Sequence, residues 1–412
     1  MRDVARRPKR SFHLMAKPTG AVCNLDCTYC YFLSKESLYP GSKFRMSDEV
    51  LEAYIRQLLD AHEVPEVQVA FQGGEPTLMG LEFFEKAVEL AQRHKKNSQT
   101  LSFSLQTNGT RIDDAWCSFF KKHGFLVGLS VDGPKEVHDT YRLNKGGKGT
   151  FDRVLEAWKL MQSQGVDVNI LCTVHAANQN RGAEVYRFFR DDLGAEFIQF
   201  IPIVERTTEE NHDLAERGWS QNERGDRPLY EQVGSSVTSR SVNPEAYGRF
   251  LCEVFDEWVS QDVGKVFVQL FDATLGAQMG IYSLCIYAPT CGEALALEHN
   301  GDVYSCDHFV EPKYRLGNIL EQRLETLVEL PQQKQFGRDK RARLPAMCRA
   351  CPVLYACNGG CPKDRFVVTP EGEPGLNYLC PGLMAFFLHA EPKMRKMADL
   401  LRSGRPAAEI MR

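Results

Sequence analysis

The sequence lacks the defining features of several large protein classes. No apolar run reaches the roughly 18 residues that a membrane-spanning helix needs. The basic N-terminal stretch MRDVARRPKRSFHLMA has no apolar segment behind it, which argues against a secretory signal and predicts a cytoplasmic protein. The net charge of −4 is not the basic excess typical of nucleic-acid-binding proteins. The sequence also shows no dinucleotide-binding glycine fingerprint, no phosphate-binding loop with its lysine, and no serine–histidine–aspartate arrangement.

The rest of the composition is that of a globular protein, with 43% hydrophobic and 25% charged residues among 412. Six apolar segments alternate with helical stretches and predict buried strands at 12–16, 67–74, 101–109, 125–133, 166–174 and 197–204. Such alternation predicts a parallel sheet built from βαβ units. Six units are too few for an eight-stranded barrel. The predicted fold class is therefore α/β, with a partial (β/α)6 TIM-like barrel over residues 11–204.

The second half of the chain is organised differently. Residues 205–243 are polar, charged and without periodicity, which predicts a mobile surface insertion or linker. Residues 244–402 predict a C-terminal cysteine-rich domain, with a helix near 246–259 and another at about 381–401. Between these helices, Asn300-Gly301 predicts a hairpin with a type I′ turn. The last ten residues are expected to be frayed.

Fourteen cysteines are present, and eleven of them are grouped. Disulfides would be expected in a small secreted protein, but in a long chain without a secretory signal such grouping is typical of metal ligation. The three isolated thiols, Cys117, Cys172 and Cys252, predict small core residues.

The first group follows the first predicted strand and has the pattern Cys23-x3-Cys27-x-Tyr-Cys30. Three thiolates within eight residues can ligate three irons of a [4Fe–4S] cluster and leave the fourth iron open. An open iron can bind the amino and carboxylate groups of S-adenosylmethionine (SAM). Zinc is the alternative, but zinc sites favour a C-x2-C pair with a matching second pair nearby, and no second pair occurs before residue 285.

This motif and the strings KPTGAVCNLDCTYCYF, FQGGEPTL, LQTNGT, VGLSVDGP and HDTYR resemble the anaerobic sulfatase-maturating enzymes, a family of the radical SAM superfamily. The resemblance runs from about residue 11 to 390, apart from the insertion. It implies SAM contacts at the following positions: Tyr29 and the flanking Ile203 and Val204 for adenine, Gly73, Gly74 and Glu75 for the amino group, Arg142 for the carboxylate, and Ser130. For Arg142 a surface ion pair is the alternative. Gln72 is the implied substrate contact.

Eight cysteines after residue 280 are enough for two four-thiolate centres, and their pattern resembles the SPASM domain with its two auxiliary [4Fe–4S] clusters. The resemblance implies one ligand set of Cys285, Cys291, Cys306 and Cys361, and another of Cys348, Cys351, Cys357 and Cys380. Spacing alone does not give this pairing. Two structural zinc sites are the alternative. Clusters with four cysteine ligands have no open iron and suit electron transfer.

Asp307 follows the cluster ligand Cys306 directly. A carboxylate beside an anionic cluster is unfavourable and calls for a reason. The resemblance implies that Asp307 is the base that takes the proton from the substrate's thiol or hydroxyl, and the alternative is a hydrogen bond to the backbone near the hairpin. For His308 a surface role is expected.

The implied reaction is oxidation of a cysteine or serine in an unfolded sulfatase to Cα-formylglycine. A 5′-deoxyadenosyl radical from SAM would abstract hydrogen from the Cβ atom, and the auxiliary clusters would accept the second electron. The implied substrate is an extended C/S-x-P-x-R segment, the electron donor is a low-potential flavodoxin or ferredoxin, and no nucleic-acid or membrane partner is expected. The rivals are a SPASM-type maturase that forms crosslinks in a ribosomal peptide and a non-enzymatic zinc protein that acts as a binding module.

Overall fold

The structure of the protein is a computed structural model, which describes residues 10–219 and 229–412. The predicted N-terminal basic stretch falls partly outside the described residues, which begin at Arg10. Six strands pair in chain order, all parallel, and each agrees with its predicted segment to within three residues. They are β1 (His13–Lys17), β2 (Glu66–Phe71), β3 (Thr100–Thr107), β4 (Phe125–Ser130), β5 (Asp167–Val174) and β6 (Phe197–Pro202).

Helices connect successive strands and bury their apolar faces against the sheet. They are α1 (Asp48–Ala61), α2 (Leu81–His94), α3 (Asp114–His123), α4 (Lys135–Tyr141), α5 (Phe151–Ser163) and α6 (Gly182–Arg187). On α1 the residues Leu51, Tyr54, Ile55 and Leu58 are fully buried, at the spacing that places them on one helix face. The partial barrel predicted from the sequence is confirmed.

The cysteine-rich segment continues the same sheet beyond β1. Its strand β10 (Ala294–Glu298) pairs in parallel with β1, from His13 opposite Ala294 to Lys17 opposite Glu298. Two antiparallel strands, β11 (Asp302–Tyr304) and β12 (Arg315–Asn318), follow β10. At the other edge β9 (Phe267–Val268) pairs with β6, so that the described residues form one sheet of ten strands.

The remaining elements belong mostly to the C-terminal half, where the helices predicted near 246–259 and 381–401 are α8 (Pro244–Gln261) and α14 (Cys380–Arg402). They are β7 (Arg206–Thr207), α7 (His212–Glu216), β8 (Ser236–Val237), α8 (Pro244–Gln261), α9 (Gln269–Gln278), α10 (Leu324–Val328), α11 (Pro331–Ala342), α12 (Ala346–Arg349), α13 (Leu354–Cys357), β13 (Val367–Val368), β14 (Pro374–Leu376) and α14 (Cys380–Arg402). Short 3₁₀ segments include Tyr31–Leu38, Pro76–Met79 and Asp307–Phe309.

The insertion at 205–243 differs from its prediction as a mobile linker. Residues 220–228 lie outside the described residues, but the flanking parts are anchored. The Glu205 carboxylate, fully buried, accepts hydrogen bonds from Arg240 Nη2 at 2.9 Å and Thr238 Oγ1 at 2.8 Å. Trp219 and Tyr230 are each only 2% exposed. Glu205 and Arg240 pair with each other inside this segment, so the polar composition of the segment did not imply mobility.

Two further details of the prediction are wrong. The hairpin between β10 and β11 exists, but its turn is not type I′, because that turn needs positive φ at both central residues and only Gly301 has it, at 93°. The C-terminus is also ordered rather than frayed. It ends in a 3₁₀ segment, Ala407–Met411, whose Ile410 side chain is buried in the core.

The contact between α8 and α14 depends on two glycines. A Cβ atom at Gly382 would lie 1.9 Å from the Pro244 carbonyl oxygen and 2.8 Å from the Gly248 nitrogen. We therefore expect Gly382→Ala to lower the free energy of unfolding by about 1–3 kcal/mol, as overpacking does. Urea unfolding of the anaerobically reconstituted protein measures this change.

The matched control is Gly146→Ala, where the added methyl group meets only the Asn144 side chain at 3.3 Å. Its effect should stay within about 0.5 kcal/mol. Equal unfolding free energies for the two variants would contradict the close helix contact.

Candidate functional site

The N-terminal cysteine set, Cys23, Cys27 and Cys30, lies in the loop that follows β1. Cys30 N donates to Cys27 O at 2.8 Å, and Leu25 N donates to Cys23 Sγ at 3.3 Å, so the loop curls around its own thiols. Burial raises the pKa of Cys27 to about 12. Thiols held in this way remain protonated unless a metal takes the place of the proton.

The glycine segment after β2 supports this loop through its backbone. Gly74 N donates to Gly20 O at 2.7 Å, and Glu75 N donates to Val22 O at 3.0 Å. A Cβ atom at Gly74 would lie 2.0 Å from Val22 O, so only glycine permits this approach. Gly73 has a φ of 135°, a conformation that also favours glycine. The two glycines predicted to bind SAM therefore also hold the cysteine loop in place.

Glu75 joins the ends of β2 and β3. Its fully buried carboxylate accepts hydrogen bonds from Thr77 Oγ1 at 2.7 Å, Thr107 Oγ1 at 2.8 Å and Asn108 N at 2.8 Å. Burial raises the pKa of Glu75, and these hydrogen bonds act in the opposite direction. The carboxylate is thus fixed beside the cysteine loop.

Tyr29 and Arg142 meet on a buried carboxylate that the sequence reasoning missed. Asp132 accepts hydrogen bonds from Tyr29 Oη at 2.7 Å and from Arg142 Nε and Nη2 at 2.9 and 3.1 Å. Burial alone would raise the pKa of Asp132, but Arg142 and His175 outweigh it and lower the pKa strongly. Breaking a buried pair of this kind costs about 3–5 kcal/mol.

The surface ion pair that was the alternative for Arg142 does not describe its position, and its contact with the SAM carboxylate remains a prediction. Its guanidinium forms a bidentate pair with Asp132. It is also 7% exposed, so the pair is buried rather than on the surface. The position of Asp132, two residues after β4, was the only available hint of this pair, since acidic residues often end strands at a functional edge.

The other predicted SAM contacts lie at the same end of the sheet. Ser130 Oγ accepts a hydrogen bond from Gln106 Nε2 at 3.1 Å. Ile203 packs against the apolar cluster of Leu25, Cys27 and Tyr29. Val204 is buried in the main core. The SAM contacts of Ser130, Ile203 and Val204 remain predictions.

Asp307 lies beside β1 because β10 and β11 pair next to that strand. Its carboxylate forms an ion pair with the ammonium of Lys17, which is 1% exposed and lies 3.6 Å from the centre of the Phe32 ring. Burial would raise the pKa of Asp307, but Lys17 and His308 outweigh it and hold the pKa below its usual value. The alternative of a backbone hydrogen bond for Asp307 does not describe this arrangement.

Lys17 also adjoins the glycine segment, since a Cβ atom at Gly73 would lie 3.2 Å from Lys17 Cβ. Lys17 is a charged residue at the end of the apolar strand β1. This position could have marked it as a functional residue, but the sequence analysis did not use it. His308 differs from its expected surface role. Its Nδ1 lies 3.2 Å from Tyr31 Oη, and burial lowers its pKa to about 4.

Gln72 opens into the interior of the partial barrel. The cavity there has a volume of about 380 Å³ and a lining rich in carboxamides. Its polar lining residues include His13, Gln68, Gln72, Gln106, Asn169 and Gln199. Carboxamides offer both donors and acceptors, which suits the backbone of an extended peptide.

The eight C-terminal cysteines form two groups in the structure. In the first auxiliary set, burial raises the pKa of Cys306, and the neighbouring Cys361 and Cys285 raise it further. Burial raises the pKa of Cys291 as well. Lys340 acts to lower this pKa, and Cys285 acts to raise it. Cys285, Cys291, Cys306 and Cys361 are thus near enough to influence one another, and their role as one ligand set remains a prediction.

The second auxiliary set lines one cavity. Its members are Cys348, Cys351, Cys357 and Cys380, with Met347, Leu376 and Met384 among the apolar neighbours. Burial, together with the charges of the other three thiols, raises the pKa of Cys357 to about 12. The remaining cysteines, Cys117 and Cys172, are fully buried in the core as predicted, whereas Cys252 is half-buried on α8.

The spacing of these thiols bears on which metal group they fit. Across residues 10–219 and 229–412, no three His, Cys, Asp or Glu side chains lie close enough together to hold a single metal ion. A zinc site would gather its thiolates about 2.3 Å from one ion. A cubane cluster instead binds its cysteines through different irons, and the grouped thiols described above are the candidates for its ligands.

Comparisons with known proteins agree with this geometry. Residues 18–188 match the radical SAM superfamily, and residues 285–352 match the SPASM iron–sulfur cluster-binding domain. Fold and site therefore define a radical SAM protein with a cluster-binding extension.

Similar proteins show to which family within this superfamily the chain belongs. The chain is 43% identical to the serine-type anaerobic sulfatase-maturating enzyme of Bacteroides thetaiotaomicron, over 98% of this chain and 95% of that protein. It is 34% identical to the cysteine-type enzyme of Clostridium perfringens, over 94% and 99%. The solved structure of native anSMEcpe with bound AdoMet and the Cp18Cys peptide superposes with a TM-score of 0.80 at 34% identity, covering 95% of this chain and all of that one. The chain belongs to the anaerobic sulfatase-maturating enzymes.

The three cysteine sets predict the metal content of the intact protein. After anaerobic reconstitution we expect about twelve irons per chain, four for each cubane. Replacing Cys23, Cys27 and Cys30 with alanine should leave about eight irons and abolish SAM cleavage. Iron and zinc analysis, together with chromatography of 5′-deoxyadenosine, measures both. About four irons per intact chain, with zinc making up the rest, would contradict the three-cluster arrangement.

Proposed function

We propose that this chain oxidises a cysteine or serine in an unfolded sulfatase to Cα-formylglycine. The observation that carries the proposal is the placement of Asp307. The buried Lys17 holds this carboxylate next to the glycine segment that supports the N-terminal cysteine set. A base fixed beside the SAM-binding end of a barrel is what deprotonation and oxidation at one substrate carbon require.

The cysteine sets assign the cofactors. Cys23, Cys27 and Cys30 would hold the cluster that binds SAM, and the two auxiliary sets would hold one [4Fe–4S] cluster each. When bound, SAM and these clusters supply hydrogen-atom abstraction from the substrate Cβ atom and an acceptor for the second electron. The family relation supports this set of three clusters with SAM.

The chain's own residues provide the acid–base part of the reaction. Asp307 is ionised, since its pKa lies below the ordinary value, and it can accept the proton of the substrate thiol or hydroxyl. The Lys17 ammonium balances the carboxylate in a site that otherwise gathers anionic groups. Gln72 and the carboxamides beside it can bind the peptide backbone in the barrel cavity.

Partners and location follow from the same chemistry. An extended segment can enter the barrel where a folded sulfatase cannot, at an ordering cost. The peptide in the anSMEcpe structure supports a peptide substrate here. A low-potential flavodoxin or ferredoxin would supply electrons. In the described part of the chain no helix has the length and apolarity to cross a bilayer. Fourteen free thiols suit a reducing compartment, which supports the cytoplasm.

Replacing the base should separate SAM cleavage from product formation. We expect Asp307→Asn to form 5′-deoxyadenosine but to lose aldehyde product by about 10²–10⁴-fold, because a general base contributes that much. Chromatography and mass spectrometry of one reaction measure both products. Asp152→Asn is the matched control, since that carboxylate pairs with Lys135 on the outer surface and should not affect either product. Full aldehyde yield from Asp307→Asn would place the base elsewhere.

The substrate class is tested with peptides that contain a C/S-x-P-x-R core. Oxidation should lower the mass of the serine peptide by about 2 Da and that of the cysteine peptide by about 18 Da, as loss and exchange of atoms require. Both peptides are used because the relatives include serine-type and cysteine-type enzymes. A mass change in neither peptide, while a small ribosomal peptide becomes crosslinked, would favour the crosslinking rival.

A further inference from the structure

The two auxiliary cysteine sets are joined by a short segment with an unusual backbone. Asn358, Gly359 and Gly360 link Cys357 of the second set to Cys361 of the first. All three have positive φ, at 45°, 71° and 62°. Glycine adopts this conformation readily, but Asn358 does so at a cost that neighbouring groups must offset. Arg365 is one of the groups that hold the segment in place.

The Arg365 guanidinium is surrounded by backbone carbonyls of this linking segment. Its Nε donates to Gly359 O at 2.9 Å, and its Nη2 donates to Asn358 O at 2.7 Å and Gly360 O at 3.1 Å. Its Nη1 donates to Lys340 O. A Cβ atom at Gly359 would lie 2.6 Å from Nη2, so the glycine is needed for the close approach.

Lys340 likewise binds backbone carbonyls, in this case beside the first auxiliary set. Its side chain is buried, with the residue only 1% exposed. Its ammonium donates to the carbonyls of Cys285, Ile286 and Ala288, in the loop that begins with a ligand of that set. Both cations thus face backbone carbonyls beside the thiols.

Neither cation forms an ion pair with a carboxylate in the residues that the structure describes. The adjacent acidic residues have other partners: Asp339 pairs with Arg343 at 2.7 Å, and Asp364 pairs with Lys363 at 2.6 Å. Thiols of both sets act electrostatically on Arg365, namely Cys361, Cys348, Cys357 and Cys291. Lys340 is buried and Arg365 is half-buried, so each loses much of the water that would otherwise stabilise its charge. Anionic clusters on the two sets would supply a counter-charge.

We infer that Arg365 and Lys340 form a cationic bridge that makes the auxiliary clusters easier to reduce. This inference rests on the proposed function, in which these clusters accept the second electron. A cubane with four thiolate ligands is anionic and becomes more so on reduction. Nearby positive charge therefore favours the reduced form, since net charge and surrounding hydrogen bonds set the potential of such clusters.

The test uses the full chain with Cys23, Cys27 and Cys30 replaced by alanine, so that only the auxiliary clusters contribute. Lys340→Met and Arg365→Gln are introduced into this background. Each should retain about eight irons. Lys340→Met and Arg365→Gln should each make the clusters harder to reduce. The equilibrium constant for adding one electron should fall at least tenfold, which lowers the one-electron potential by about 59 mV. A redox titration followed by electron paramagnetic resonance measures the potentials.

Lys334→Met is the matched control, because it removes the same charge from the same helix, where Lys334 is exposed and pairs with Glu329. It should leave the potentials unchanged. Potentials of Lys340→Met and Arg365→Gln equal to those of the control, with all iron present, would overturn the inference.

A second pair of variants distinguishes an effect of the charge from a structural role in holding the clusters. Lys340→Arg and Arg365→Lys keep the charges, and we expect them to retain both iron and potential. If these two also lose iron while the remaining clusters keep the control potential, the residues have a structural role only and the inference is wrong. No substrate enters this experiment, so its outcome is independent of whether the intact enzyme makes formylglycine.

Discussion

The parallel pairing of β10 with β1 is the constraint on which the functional site depends. It makes β1 the neighbour of both the barrel and the cysteine-rich segment. The cysteine loop leaves the end of β1, and the hairpin that follows β10 leads to Asp307, which forms an ion pair with the Lys17 side chain. Without this pairing the base and the N-terminal cysteine set would belong to separate bodies with no fixed relation. Catalysis of the proposed kind requires that relation, because the reacting groups must be held in near-contact geometry.

Charged side chains in the interior have different partners in three parts of the site. Asp132 and Arg142 neutralise each other behind Tyr29 and so stabilise the fold around the cysteine loop. Lys17 and Asp307 also neutralise each other, but their pair is partly open, with the Asp307 side chain 25% exposed, so that a substrate can reach the carboxylate. Lys340 and Arg365 instead face carbonyls and thiols. Their charge is free to act on whatever the cysteines hold.

The sequence predicted features that depend on local pattern. The six strands follow from short apolar runs separated by helical periods, and the cysteine sets from grouped thiols together with a family resemblance. The pairing of β1 with β10 joins residues about 280 apart, and nothing local at His13 or Ala294 indicates it. The buried pair of Arg142 with Asp132 was missed because spacing shows which residues are near one another along the chain but not which side chains turn inward. The insertion was misjudged because Glu205 and Arg240 resemble solvent-exposed charges until their pairing is known.

The most direct test of the central claim follows a single atom from the peptide to the cofactor. A peptide carrying deuterium on the Cβ atom of the target serine or cysteine is incubated anaerobically with the intact enzyme, SAM and a reductant. Mass spectrometry then measures deuterium in the 5′-deoxyadenosine that forms. The account predicts that deuterium appears there in proportion to the aldehyde produced. Aldehyde formed alongside unlabelled 5′-deoxyadenosine would contradict it, because the Cβ hydrogen would then have left by another route.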